Sequence, residues 1–117
     1  MKRKHSLKKV TSFLEIVKTK SKYYSKNYII YANKNNESLM KVGIVVPKKL
    51  FAKAVVRNKI KRQVRTFFDD FKDFNKGLNL LVKINNTNFL TNNYQTNKQE
   101  FFDSYKRLTH KFKTNLM

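Results

Sequence analysis

The chain has 117 residues, which suffices for a domain with a hydrophobic core, and we expect a single domain that spans residues 1–117. Its 27 Lys and Arg residues outnumber 7 Asp and Glu residues by 20, and this excess points to nucleic acid as a partner, and less strongly to an anionic membrane. The chain has no cysteine, which excludes disulfides, thiol nucleophiles and cysteine-based zinc sites.

The first part of the chain predicts a helix followed by two strands. After a flexible basic arm at residues 1–8, apolar residues at i, i+3, i+4 and i+7 predict an amphipathic helix over Lys9–Lys18. Tyr28–Ala32 is aromatic and β-branched and predicts a strand, whereas the polar segment before it is either a turn or a short irregular strand. Leu39–Val46 predicts a second strand, ended by Pro47, and the Asn-rich residues between the two strands favour an antiparallel hairpin.

The most highly charged segment is Lys48–Phe71, which holds eight basic residues and no acidic residue before Asp69. Wound as a helix, it places basic residues beside and behind an apolar stripe that faces a core. The stripe consists of Val56, Ile60, Val64, Phe67 and Phe71. Like charges on one face weaken an isolated helix. A solvated basic face is the commoner explanation for one such cluster, but the absence of acids from Lys41 to Thr66 favours an anion-binding surface.

The last part of the chain predicts a third strand and a closing helix. Leu80–Ile84 is the strand, and an Asn- and Thr-rich loop over Asn85–Asn97 follows it. The closing helix has apolar residues at i, i+4, i+7 and i+11, namely Phe101, Tyr105, Leu108 and Phe112. The order helix, strand, strand, helix, strand, helix predicts an α+β fold, a two-layer sandwich with helices covering one sheet.

The sequence gives little support for catalytic residues. His5 and His110 lack a spaced partner carboxylate or a glycine-framed serine. The DDxxD pattern at Asp69–Asp73 holds magnesium in prenyl-diphosphate enzymes, but those enzymes need a large helical bundle, which this chain is too short to form. An ion pair between Asp69 and Arg65, four residues apart, explains the first acid equally well. We therefore expect neither catalytic nor metal-binding residues.

Membrane association is also disfavoured. The basic N-terminus lacks the apolar core of a signal peptide, and the longest apolar run, Val42–Val46, is too short to span a membrane. The closing helix could lie on a membrane surface, but the most cationic helix already uses its apolar stripe for packing. We expect a cytoplasmic protein.

The two tyrosines of the first predicted strand raise a second possibility for RNA contact. Strand alternation places Tyr28 and Ile30 on one side of the sheet, and Ile29 and Tyr31 on the other. Aromatic residues at such spacing usually belong to a core, yet aromatic faces beside basic residues also hold single-stranded RNA. The residues alone leave open which tyrosine lies outside the main core.

The central residues resemble a known family. GIVVPKK at residues 43–49, followed by KAVVRNKIKRQVR at residues 53–65, is similar to the signature of the bacterial ribonuclease P protein subunit, whose hallmark is written RNR. The similarity extends to His5-Ser6-Leu7 before Phe13, to KNYIIY at residues 26–31, to the LLVKI strand and to the closing helix. This resemblance covers most of the chain.

The resemblance implies a role in maturing tRNA. Members of this family bind a large catalytic RNA, and the complex removes the 5′ leader from precursor tRNA using magnesium ions that the RNA holds. The isolated chain is then expected to be inactive and to bind no cofactor itself. The implied partners are the catalytic RNA and precursor tRNA, with no DNA and no membrane.

The resemblance also implies two sets of contact residues. The RNR helix faces the catalytic RNA with Lys48, Lys49, Lys53, Arg57, Asn58, Lys59, Lys61, Arg62 and Arg65. A cleft between the sheet and the first helix holds the leader with Phe13, Val17 and Tyr31. This chain departs from the family twice. Lys59 replaces the second arginine of RNR, which exchanges a bidentate contact for a point charge, and Val17 stands where a second aromatic residue is common.

The family fold contains a left-handed β-α-β crossover around the RNR helix, against the usual hand, as in the second domain of ribosomal protein S5.

Two rival functions would also explain the excess of positive charge. One is a ribosomal or other structural RNA-binding protein with no role in cleavage. The other is a metal-dependent nuclease that acts without RNA.

Overall fold

The computed structural model describes residues 17–18, 22–34, 39–70 and 77–116. The predicted α+β architecture is confirmed in these residues, which form four strands and three α-helices. In chain order they are β1 (Lys22–Tyr24), β2 (Tyr28–Lys34), β3 (Lys41–Val45), α1 (Ala54–Phe67), β4 (Leu78–Ile84), α2 (Asn88–Thr91) and α3 (Tyr94–Leu116). The predicted basic arm, and the predicted first helix except Val17 and Lys18, lie outside the described residues.

The strands form one sheet in the order β1-β2-β4-β3. Strand β2 is antiparallel to β1 and to β4, whereas β3 is parallel to β4. The predicted hairpin between β2 and β3 is therefore wrong, because β4 lies between them. The physical reason is burial on two sides: Leu80 and Val82 of β4 face one buried cluster and Leu81 faces another, so this strand occupies the centre.

Strands β3 and β4 are joined by a crossover that contains α1, as parallel neighbours require. The hand of this crossover stays a prediction from the family resemblance. Strand β1 settles the ambiguous segment before β2 in favour of a short strand, with Tyr23 opposite Ile30.

One face of the sheet packs against α1 and α3 and forms the main core. Helix α1 contributes Ile60, Val64 and Phe67, which confirms the predicted stripe at these positions, with Val56 half-buried beside them. Phe71 lies outside the described residues. The apolar face of α3 is likewise confirmed at Phe101, Tyr105 and Leu108, all buried. Burying a side chain of this size contributes about 1.5–3 kcal/mol, so the stripe fixes how α1 is rotated about its axis.

The prediction of an Asn- and Thr-rich loop over residues 85–97 is wrong. This segment forms α2 and the first turn of α3. Two of its asparagines accept backbone hydrogen bonds where these helices begin. Asn86 Oδ1 accepts a hydrogen bond from the Asn88 amide at 2.8 Å, and Asn93 Oδ1 accepts one from the Thr96 amide, also at 2.8 Å. Burial of Phe89 anchors α2 to the core.

Candidate nucleic-acid interface

Helix α1 and the turn before it carry the nine residues predicted to face the catalytic RNA, and we call them the cationic surface. Seven of them are exposed and two, Arg57 and Lys61, are half-buried. The exposed members are Lys48, Lys49, Lys53, Asn58, Lys59, Arg62 and Arg65. The two half-buried residues lie at the border with the apolar stripe, as the helical period requires.

Lys48 and Lys49 approach α1 from a turn rather than from the helix itself. The amides of Leu50 and Phe51 both donate to the Pro47 carbonyl oxygen, at 3.1 and 3.0 Å. Phe51 is buried and fixes the turn against the main core. The helix proper begins at Ala54, so the two lysines lie beside its N-terminal end.

No Asp or Glu in the described part of the chain forms an ion pair with the cationic surface. The placement of charge along α1 also does little for helix stability. Its first turn contains no acid, although the helix dipole favours negative charge there, and Lys53 occupies the N-cap without a side-chain capping bond. Arg65 in the last turn is the one basic residue of α1 that the dipole favours. Charge that does not stabilise the helix indicates an anionic partner.

Arg57 has a structural task besides its charge. Its Nη1 donates to the carbonyl oxygens of Phe51 and Ala52, at 2.9 and 2.7 Å. These bonds tie α1 to the segment that leads into it, and hydrogen bonds from a charged group are the stronger kind. The first arginine of the RNR motif therefore positions the cationic surface as well as belonging to it.

Polar contacts hold α1 against α3. Asn97 is buried, and its Nδ2 donates to Gln63 Oε1 at 3.1 Å. The hydroxyls of Thr66 and Tyr94 are 2.7 Å apart, and the Tyr94 ring meets Phe67 edge-on at 5.4 Å between centroids. Together with the apolar stripe, these contacts set the orientation of the basic residues on the outer side of α1.

The other face of the sheet carries a second, smaller cluster made of Ile29, Tyr31 and Leu81, with Val45 packed against it. This settles which tyrosine lies outside the main core. Tyr28 is in the main core, where its hydroxyl donates to the Asn97 carbonyl oxygen at 2.8 Å, and burial raises its pKa. Tyr31 is on the opposite face with 7% of its surface exposed.

Lysines surround this second cluster. The strand register puts Lys22 opposite Tyr31, and Lys83 opposite both Ile29 and Val45. Lys41 lies on the same face, two residues before Gly43, which pairs with Leu81. We call the set the lysine-rich sheet face: Lys22, Tyr24, Ile29, Tyr31, Lys41, Val45, Leu81 and Lys83.

Tyr24 is the aromatic residue of this face that sequence reasoning missed. It pairs with Ile29, is 57% exposed, and has the Lys22 ammonium 5.5 Å from its ring centroid. Burial raises the pKa of Tyr31, Tyr24 adds to the rise and Lys22 opposes it, so the three side chains are close neighbours. Alternation in β1 is the signal that finds Tyr24, but only once the pairing of β1 with β2 is known.

The predicted leader cleft is described only in part. Val17 is 45% exposed, Tyr31 is buried, and Phe13 lies outside the described residues. The cleft set as a whole therefore stays a prediction.

Acidic residues with described side chains lie away from both surfaces or at the end of α1. Glu100 and Asp103 line a cleft of about 810 Å³ between the β1–β2 turn and α3, together with Lys26 and Arg107. The Glu100 carboxylate accepts hydrogen bonds from the amide and Nδ2 of Asn27, at 2.9 and 2.8 Å, so it stabilises the turn between β1 and β2.

Within the described ranges, no group of three or more His, Asp and Glu side chains could hold a metal ion. In those same ranges, no helix is both long enough and apolar enough to cross a membrane.

Comparison with known proteins identifies the family. A family model described as Ribonuclease P matches residues 1–109. The chain belongs to the ribonuclease P protein family. The ribonuclease P protein component of Mycoplasma mobile is 32% identical over 109 residues, which cover 93% of this chain and 94% of that protein. The corresponding component of Mycoplasmopsis pulmonis is 35% identical over 100 residues, covering 86% and 87% of the two chains.

The RNase P protein from Thermotoga maritima has the same fold. Its structure superimposes with a TM-score of 0.77 at 28% identity, covering 87% of this chain and 96% of that one. The resemblance drawn from the RNR motif and the predicted fold class are both confirmed.

Membership of this family makes the chain a protein subunit of an endoribonuclease that processes tRNA, and the RNase P RNA its partner. It sets aside the rival assignment to ribosomal proteins. Both departures from the family pattern are exposed side chains: Lys59 on the outer side of α1, and Val17 with 45% of its surface accessible.

Proposed function

We propose that this chain binds the catalytic RNA of ribonuclease P through the cationic surface and binds the 5′ leader of precursor tRNA across the lysine-rich sheet face. It thereby promotes magnesium-dependent removal of the leader, which leaves the mature tRNA 5′ end. The observation that carries the proposal is the outward row of cations on α1, which no described carboxylate neutralises, above a buried apolar underside.

Binding to the catalytic RNA is driven mainly by release of counterions from phosphates. A surface of this kind that neutralises about six phosphates gives a slope of log K against log salt near −4 to −5, at roughly −0.7 to −0.9 per contact. Arg62 and Arg65 supply planar donors that match a phosphate bidentately, whereas Lys59 contributes a point charge. Arg57 adds a cation to the surface, but its Nη1 donates to the carbonyl oxygens of Phe51 and Ala52 and not to a phosphate.

Leader binding draws on a different chemistry. Single-stranded RNA is held by positive charge along its backbone and by aromatic or apolar surfaces under its bases. The lysine-rich sheet face offers both: lysines lie around a buried apolar cluster, and an exposed aromatic ring, that of Tyr24, lies at its edge. Phe13 and Val17 are proposed to close the cleft from the first helix.

The protein acts by lowering repulsion between two polyanions. Catalytic RNA and precursor tRNA are both highly negative, and a small subunit with a net charge of +20 lets them approach at lower concentrations of magnesium. Magnesium ions act through the RNA, the cleavage chemistry belongs to the RNA, and the whole chain serves as one RNA-binding domain in the cytoplasm.

Reconstitution tests this function. The chain is added to its cognate catalytic RNA at a magnesium concentration too low for the RNA to act alone, and cleavage of precursor tRNA is followed. We expect restored cleavage at the mature 5′ end. RNA binding without any rescue would make the chain a purely structural RNA-binding protein. Cleavage by the chain in the absence of catalytic RNA would make it a nuclease in its own right.

A further inference from the structure

The lysine-rich sheet face has one aromatic ring open to solvent and one that is closed. Tyr31 is 7% exposed, so its ring has no free face on which a base can stack. Tyr24 is 57% exposed and lies on the same face. A stacking contact needs an accessible π-face, so Tyr24 can stack on a base, whereas Tyr31 cannot.

The two tyrosines are close together. Lys22 lies directly opposite Tyr31, and Tyr24 follows Lys22 by two residues on the same side of β1. Tyr24 is thus the diagonal neighbour of Tyr31, a relation that separates side chains by about 7–8 Å in an antiparallel pair. A strand of RNA that passes along the rim of the buried cluster around Tyr31 reaches Tyr24 next, at the edge of the sheet.

The charges beside Tyr24 suit a nucleotide. The Lys22 ammonium lies over one face of the Tyr24 ring, 5.5 Å from its centroid, so a base that stacks on the other face has a positive charge close by. Lys83 and Lys41 continue the positive charge across the same face. No carboxylate with a described side chain shares this face: Glu100 and Asp103 belong to α3, which packs against the other side of the sheet, and Asp69 follows the end of α1.

A purely structural role accounts poorly for Tyr24. A large aromatic side chain stabilises a fold by being buried, whereas Tyr24 is an exposed residue at the edge of the sheet. Its neighbour Tyr23, by contrast, packs against the main core.

We propose that Tyr24, with Lys22 beside it, is a stacking position for one base of single-stranded RNA, which extends the leader site beyond Tyr31 to the β1 edge of the sheet. The inference rests on the proposed leader role of this face. It assigns the outer end of the leader path to a residue outside the set implied by the family resemblance, and it makes affinity depend on leader length.

The test uses the holoenzyme assembled from the full chain and its cognate catalytic RNA. Affinity is measured for precursor tRNAs whose leaders grow one nucleotide at a time, and for leaderless tRNA. The protein variants are Tyr24→Ala, Tyr24→Phe, which keeps the ring, and Leu90→Ala, which removes an exposed apolar side chain from α2 as a control. Circular dichroism and thermal melting of each variant check that the fold is kept.

We expect Tyr24→Ala to match the wild type on leaderless tRNA and on the shortest leaders. Once the leader is long enough to reach β1, the variant should bind about 5- to 150-fold more weakly, as loss of one stacked base predicts. Tyr24→Phe and Leu90→Ala should behave as wild type. A 2-aminopurine base placed at successive leader positions should be quenched at one outer position in the wild type, and that quenching should disappear in Tyr24→Ala.

Two outcomes overturn this inference alone. One is a Tyr24→Ala holoenzyme that equals a leader-preferring wild type at every leader length. The other is an equal loss on leaderless tRNA or on catalytic RNA alone, which would place Tyr24 against a different RNA. A wild-type holoenzyme that binds precursor and leaderless tRNA with equal affinity overturns the proposed leader role as well.

Discussion

Helix α1 and the lysine-rich sheet face both present positive charge, but in different ways. On α1 the charges are long, exposed side chains that stand on a buried apolar stripe, and the helix contributes no aromatic residue to its outer side. On the sheet face the centre is apolar and aromatic, and the lysines surround it. The first arrangement fits folded RNA met through its phosphates, and the second fits single-stranded RNA met through its bases as well.

This difference implies different responses to salt and to mutation. Binding through α1 should weaken steeply with salt and should follow the number of cations. Binding across the sheet face should keep a part that is insensitive to salt, because stacking is not an ionic interaction. Substitutions can therefore separate the two surfaces within one assembled complex.

The largest effect is expected from breaking the support beneath the cationic surface. Ile60→Ala removes a buried side chain from the underside of α1, and we expect the free energy of unfolding to fall by about 2–5 kcal/mol. Urea denaturation measures this loss. The matched control is Val55→Ala on the exposed side of the same helix, which should change stability by less than about 0.5 kcal/mol. Equal losses for the two variants would contradict the assigned rotation of α1.

The next effect is on RNA binding without a loss of fold. Arg62→Ala combined with Arg65→Ala should weaken binding to catalytic RNA by about 10- to 100-fold near physiological salt, as removal of two phosphate contacts predicts. Filter binding measures the affinity, and a thermal melt shows that the fold is intact. Lys106→Ala combined with Arg107→Ala removes the same charge from α3 and serves as the control. If both double variants lose the same affinity for catalytic RNA, binding depends on the total charge of the protein and not on the cationic surface.

Arg57 should differ from its neighbours by affecting both properties. Arg57→Ala removes the hydrogen bonds to Phe51 and Ala52 together with one cation, so we expect a stability loss of about 1–3 kcal/mol in addition to weaker RNA binding. Arg62→Ala should affect binding alone. Urea denaturation and filter binding on both variants make the comparison. A fully stable Arg57→Ala variant would show that these hydrogen bonds do not hold the segment before α1.

The smallest effect is expected at the sheet face, and it should be selective. Tyr31→Ala should weaken binding of precursor tRNA to the holoenzyme and leave binding of mature tRNA unchanged, because only the precursor has a leader. Tyr31→Phe is the control for the ring. Loss of affinity for both tRNAs by the same factor would contradict a leader role for this cluster.

The same comparison explains what could be predicted from sequence. The cationic surface is local: nine residues within 18 positions of the chain, Lys48–Arg65, most of them on one helix whose period alone separates Ile60 and Val64 from Arg62 and Arg65. The family motif lies in the same stretch. Both the core-facing and the exposed residues of α1 were therefore available from the sequence.

The sheet face is not local, and its prediction was incomplete for that reason. It combines β1, β2, β3 and β4, so its membership depends on strand order and register. Alternation separated Tyr28 from Tyr31, but the incorrect β2–β3 hairpin hid the central position of β4 and with it the place of Lys83. Tyr24 was missed because a three-residue edge strand has too few residues to show a period.

The dependence of catalytic-RNA affinity on salt tests the central claim most directly. For the wild-type chain we predict a log–log slope near −4 to −5, and for the Arg62→Ala, Arg65→Ala variant a slope shallower by about 1.4–1.8. A wild-type slope near −1, or the same slope for both proteins, would mean that α1 does not meet the phosphates of the RNA and would contradict the account.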